Sequence, residues 1–127
     1  MNHKKSLKIN SLFVMIIFVL VSCKTDIQKE VVGIYRGELP CGNCTAIDNK
    51  MTLNADKTFV LETIYKGKAD DRVFKTKGNY YIKNEQIVLE KQKSPFKYLI
   101  GDNYIELLDI DGNKIESELN YKLIKQE

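Results

Sequence analysis

From residue 31 onward, apolar and polar residues alternate with a period of two, broken by turn residues roughly every ten positions. That is the pattern of short antiparallel strands rather than of helices. About eight strands are expected. The first covers Val31–Leu39, with Gly33 and Gly37 inside it; strand glycines mark bends or close backbone approach, as at barrel corners. A Cys-Gly-Asn-Cys loop follows, then a short strand at Lys50–Asn54 with Met51 and Leu53 on one face. Ala55-Asp56-Lys57 turns the chain into Thr58–Lys66, where Phe59, Leu61, Thr63 and Tyr65 share a face. After the polar loop Gly67–Asp71, the strand Arg72–Ile82 sets Phe74, Thr76, Gly78, Tyr80 and Ile82 against Lys75, Lys77 and Asn79. Lys83-Asn84-Glu85 leads to Gln86–Lys91, Pro95 introduces Phe96–Ile100, and Gly101-Asp102-Asn103 leads to Tyr104–Asp109. Asp111-Gly112-Asn113 then turns to a last strand ending near Ile124. One polar and one apolar face per strand suits an all-β fold, a small antiparallel meander closed into a barrel around one core. Closure also removes exposed strand edges.

The first thirty residues read differently. Met1–Asn10 carries positive charge, and Leu12–Val21 is a run of ten apolar residues. A bilayer span needs about 20, so the run reads as the apolar region of a signal peptide. It ends in Leu20-Val21-Ser22-Cys23, which resembles the bacterial lipobox. That resemblance implies cleavage before Cys23 and diacylglycerol on its thiol; two or three chains make a stable anchor where one is marginal. The competing reading is an ordinary secretory signal, or an uncleaved anchor, with a chance cysteine. The expected organisation is a lipoprotein signal peptide at 1–22, a lipidated tether at 23–30 and a barrel domain at 31–127. The expected location is the bacterial cell envelope. Lys24, not an aspartate, follows the cysteine, as in enterobacterial lipoproteins sorted to the outer membrane.

Charge narrows the partners. The chain has 20 Lys and Arg against 17 Asp and Glu, but Lys4, Lys5 and Lys8 belong to the leader, leaving 17 against 17. Phosphate-backbone binding needs a basic surplus, so no nucleic-acid partner is expected. The single histidine, His3, is also in the leader. The mature chain therefore has none for Ser-His-Asp or Cys-His catalysis, or for histidine-ligated zinc, and no enzyme is expected.

Cys41-Gly42-Asn43-Cys44 is the cluster with chemical potential, and four readings are open to it. In an exported protein the two thiols tend to oxidise to a disulfide, although closing so short a loop stabilises by only about 2 kcal/mol. Two thiolates also suit Cu(I), a soft ion that accepts few ligands. Met51 could add a thioether, but its strand position suits the core better. The pair could instead be a redox switch, or an oxidoreductase pair, although catalytic CxxC pairs sit at a helix N-terminus and Thr45–Asn49 leads toward a strand. Asp109-Ile110-Asp111-Gly112-Asn113 looks like a fragment of a calcium loop but lacks the register and the later glutamate, so a turn is expected. Asp70-Asp71 and Glu116/Glu118 read as solvated charges, and the tyrosines as core or rim.

The segment Gly33-Ile34-Tyr35-Arg36-Gly37-Glu38-Leu39-Pro40-Cys41-Gly42-Asn43-Cys44 resembles the N-terminal domain of the copper resistance lipoprotein NlpE family, with its G-x-Y-x-G-x-L-P strand running into C-x-x-C. Leu53–Phe59, Phe74 with Gly78-Asn79-Tyr80, Ile87–Leu89, Leu107–Gly112 and Tyr121–Leu123 resemble its later segments. The resemblance implies a lipocalin-like barrel with the CxxC at its mouth. It also implies an envelope lipoprotein linked to copper tolerance or envelope-stress signalling, with an envelope signalling protein as partner. Cys41 and Cys44 match the motif as a redox disulfide or a Cu(I) site; copper is the one cofactor implied. The aromatic of the family's GxW/Y strand is a tyrosine here, and the resemblance covers one domain, whereas some family members carry a second, C-terminal one. The alternatives are a carrier of a small apolar ligand, suggested by the alternating faces, and a purely structural envelope module.

Overall fold

A computed structural model describes residues 27–68, 72–90 and 96–127. A one-turn helix, α1 (Ile27–Val31), precedes eight strands: β1 (Gly33–Leu39), β2 (Ala46–Leu53), β3 (Thr58–Lys66), β4 (Val73–Lys83), β5 (Gln86–Glu90), β6 (Lys97–Ile100), β7 (Tyr104–Leu107) and β8 (Lys122–Lys125). Each strand pairs antiparallel with the next, and β8 returns to β1 through Tyr35↔Lys125 and Arg36↔Ile124. The expected all-β meander is thus a closed eight-stranded barrel. The leader 1–22, Cys23, Lys24–Asp26, Asp70, Asp71, Lys91 and Pro95 lie outside the described residues.

The meander sorts the connections by length. At one end are the tight hairpins. In the first, Lys57 takes a left-handed φ of 67°, and the Asp56 carboxylate accepts from the Thr58 hydroxyl and amide. The second is a two-residue turn at Asn84-Glu85, both left-handed at φ 51° and 61°, which matches the twist of the flanking strands. The third has Asn103 at φ 62°. At the other end are the longer β1–β2, β3–β4, β5–β6 and β7–β8 connections.

The hairpin end is solid. Tyr35, Met51, Leu53, Phe59, Tyr80, Ile87, Ile105 and Leu123 point inward and are buried there. Helix α1 closes this end. Val31 is in the core, the Tyr35 hydroxyl donates to the Val31 carbonyl at 2.8 Å, and Lys125 Nζ donates to the Glu30 carbonyl at 2.6 Å.

Several boundaries differ from expectation. Val31 ends a helical turn instead of opening β1, because its side chain plugs the barrel base. β2 starts at Ala46, four residues before the expected strand. Its inward position 49 is a buried asparagine, which interrupts the apolar alternation without interrupting the ladder. β7 stops at Leu107. The chain then makes a turn in which the Asp109 carboxylate accepts from the Asp111 and Asn113 amides at 3.0 and 2.8 Å. Those amides engage the carboxylate of the would-be calcium loop, and Gly112 supplies the left-handed φ of 83°. Residues 115–121 stay irregular, with Glu116 and Glu118 exposed, and β8 forms only from Lys122.

Candidate functional site

The barrel interior changes character toward the loop end. The strand tips carry smaller or polar inward residues, and a cavity of about 900 Å³ opens there. Leu39, Ile47, Leu61, Leu89 and Leu107 form much of its wall, with Asn49, Thr63, Thr76 and Tyr98 as its polar members. The Thr63 hydroxyl donates to Asn49 Oδ1 at 3.0 Å. Tyr65 and Phe74 stand edge to face at the rim, ring centroids 5.7 Å apart. With Phe96 they leave an aromatic lip, Phe74 being 51% and Phe96 49% exposed.

The Cys-Gly-Asn-Cys loop sits on this lip. Leu39 and Ile47 face each other across the β1–β2 pair, both line the cavity, and the loop joins them. Cys41 and Cys44 are disulfide-bonded with their Cα atoms 5.4 Å apart. The base of the loop is fixed: the Thr45 amide donates to the Lys66 carbonyl at 2.9 Å, Lys66 pairs with Glu38, and Asn120 Nδ2 donates to the Glu38 carbonyl at 3.1 Å. That pairing lifts the Lys66 ammonium pKa through its hydrogen bond and charge attraction to Glu38. The tip is open, since a side chain added at Gly42 would meet nothing within 4 Å. A fixed base with an exposed tip leaves the sulfurs accessible without letting them drift apart.

Cys44 Sγ lies 3.5 Å from the Ala46 carbonyl and Cys41 Sγ 3.7 Å from Asn43 Oδ1. Bridged sulfurs have no proton to donate, so these are packing contacts. The loop runs into a strand, not a helix N-terminus, so the device that activates oxidoreductase cysteines is not built here. Met51 is fully buried in the core and is no ligand for the loop. Among the described residues, no three Cys, His, Asp or Glu side chains cluster as a metal site. The polar lining is not legible in the alternation: Asn49 falls in the segment expected to lead toward β2, and Tyr98 reads as core or rim. The signal was an asparagine at an inward strand position.

An eight-stranded up-and-down barrel, plugged at one end and open at the other beside a CxxC loop, defines a lipocalin-like domain. Residues 35–118 match the model of the NlpE N-terminal domain, and the chain belongs to that family. It is 27% identical over 129 residues to Lipoprotein NlpE of Escherichia coli (strain K12), covering 91% of this chain and 55% of that protein. A crystal structure of a lipoprotein from Shewanella oneidensis superposes with a TM-score of 0.69 at 34% identity, covering 82% of this chain and 98% of that one. The crystal structure of the Cpx pathway activator NlpE from Escherichia coli does so with a TM-score of 0.60 at 31% identity, covering 75% and 51%. The chain thus spans about half the length of the Escherichia coli protein.

Proposed function

We propose that the chain is an envelope lipoprotein, anchored through Cys23, that acts in copper resistance or in sensing envelope stress, with Cys41 and Cys44 as its responsive pair. The observation that carries this reading is the bridged pair on an exposed, base-fixed loop at the mouth of an NlpE-family barrel. Two electrons and two protons from an external dithiol would convert the bridge to two thiols held on one short loop. As thiolates they suit Cu(I), which tolerates low coordination and prefers sulfur; the bridged state offers no thiolate. Copper binding and the disulfide are therefore mutually exclusive, and one loop can respond to either signal. The Cpx pathway, which the Escherichia coli relative activates, is the kind of signalling partner this reading supplies.

Anchoring sets an orientation. Cys23 precedes Ile27 by four residues, at most about 14 Å of extended chain, and Ile27 begins the helix at the plugged end. The anchor therefore holds the plugged end near the bilayer, in the outer membrane on the lysine at position 24, and turns the CxxC mouth away from it.

The test is the double variant Cys41→Ser/Cys44→Ser in cells lacking the native copy. Copper tolerance and the response of an envelope-stress reporter are expected to fall, while the anchored protein level stays near wild type. Unchanged tolerance and unchanged signalling would sink the reading.

A second reading, a carrier of a small apolar ligand, is favoured by the cavity. Its volume lies within the range typical of small-molecule sites, about 300–1,000 Å³.

A further inference from the structure

Three of the seven tyrosines are buried in the barrel: Tyr35, Tyr80 and Tyr98. A buried hydroxyl normally finds a partner, because leaving one unsatisfied costs about 1–3 kcal/mol. Tyr35 donates to the Val31 carbonyl and Tyr80 to the Asn54 carbonyl, each at 2.8 Å. Tyr98 is different. It is only 2% exposed and lines the cavity; its hydroxyl makes no hydrogen bond to a described residue yet is not sealed off, since the one enclosed side-chain atom without a partner among the described residues is Glu106 Oε1.

Two further observations constrain what would accept. Every described residue lining the cavity is uncharged, so a carboxylate or ammonium buried among them would find no counter-charge there and would cost several kcal/mol. The polar lining is confined to Asn49, Thr63, Thr76 and the tyrosines Tyr65 and Tyr98, and Asn49 Oδ1 is already engaged by Thr63. The wall is otherwise leucine, isoleucine and phenylalanine, which suits a chain of methylenes. Burial also raises the Tyr98 phenol well above its ordinary pKa, so the group remains a donor throughout the physiological range.

We propose that the cavity binds an uncharged amphiphile, one acyl-type chain ending in an ester or amide carbonyl, and that Tyr98 donates its hydroxyl hydrogen to that carbonyl. This deepens the carrier reading and rests on it. Apolar wall area supplies the affinity, and the Tyr98 hydroxyl, with the Asn49 amide in the same lining, selects for an acceptor. The uncharged wall formed by the described residues selects against free fatty acids in their ionised form. The aromatic lip of Tyr65, Phe74 and Phe96 is the entrance, on the face that carries the disulfide.

The test uses the full chain in lipid nanodiscs, photolabelled with a diazirine-tagged monoacylglycerol, the adducts being located by mass spectrometry. Adducts are expected on cavity-lining β3 and β5, near Leu61 and Leu89. Tyr98→Phe is expected to reduce them about five- to tenfold, the equivalent of one hydrogen bond, with thermal stability unchanged or raised. Untagged monoacylglycerol should compete, and the fatty-acid anion of the same chain length should compete at least about tenfold more weakly, in line with the cost of burying a charge. Adducts in the cavity that ignore both Tyr98→Phe and the head-group charge would overturn this assignment while leaving a carrier. Adducts only on the outer surface or the bilayer-facing end would overturn the carrier reading as well.

Discussion

Gly37→Ala is expected to destabilise the fold by about 3 kcal/mol, at the upper end of the range for overpacking. Gly37 faces inward at the seam where β1 meets β8. A Cβ there would lie 2.4 Å from the Lys122 carbonyl oxygen and 3.2 Å from Leu123 Cα. Both are backbone atoms of the strand that closes the barrel, so no side-chain rotation relieves the clash. β1 and β8 share only two paired positions, Tyr35↔Lys125 and Arg36↔Ile124, and displacing β8 breaks the closure. A denaturant melt measures the loss. Amide exchange is expected to rise first along β8 and β1; a midpoint within error of wild type would contradict the close approach at the seam.

Alkaline unfolding is the second large effect. Burial, with a smaller repulsion from Tyr80, pushes the Tyr35 phenol from an ordinary value of 10.0 up to about 12, and burial pushes Tyr98 in the same direction. Below pH 10 both phenols are neutral in the folded and unfolded chains, and their contribution is fully present. Between pH 10 and 12 the unfolded chain loses these protons while the folded one keeps them, so stability falls as pH rises. One group shifted by two units contributes roughly 3 kcal/mol, lost by the time the pH passes the folded value. Tyrosinate absorbance from these two residues is expected to appear together with the loss of sheet circular dichroism. Tyr35→Phe should flatten the pH dependence by about half. A sheet signal that persists to pH 12 while every tyrosine ionises would contradict the burial assigned to them.

The two-residue alternation was enough to find the strands from Thr58 to Glu90 almost to the residue, because their inward positions are apolar or, at Thr63 and Thr76, small. It failed where local pattern and burial part company. Asn49 is polar yet faces inward, so the first half of β2 was hidden. Val31 is apolar yet sits in a helical turn, since its burial comes from capping the barrel rather than from pairing. The stretch after Asn113 keeps some alternation, but its register is taken by the Asp109-centred turn, and β8 starts late. The site was half readable. The CxxC loop announces itself by residue type. The cavity does not, because whether inward side chains fill a barrel depends on distances across it, between residues such as Leu39 and Leu89 that are far apart in the chain. That the Tyr98 hydroxyl meets the cavity without a partner among the described residues is likewise a fact of three dimensions.

The sulfurs at the barrel mouth are expected to exchange between a bond to each other and a bond to a soft metal. The most direct measurement is Cu(I) titration of the full chain before and after reduction, with alkylation mass spectrometry at Cys41 and Cys44 at each step. The oxidised protein should show neither thiol free and take up no copper there. The reduced protein should show two, bind one Cu(I) and lose both to alkylation as it binds, and Cys41→Ser/Cys44→Ser should weaken uptake by more than about 100-fold, beyond the loss typical of outer-shell changes. A bridge that resists reductant, or copper uptake identical in both states and in the double variant, would contradict it.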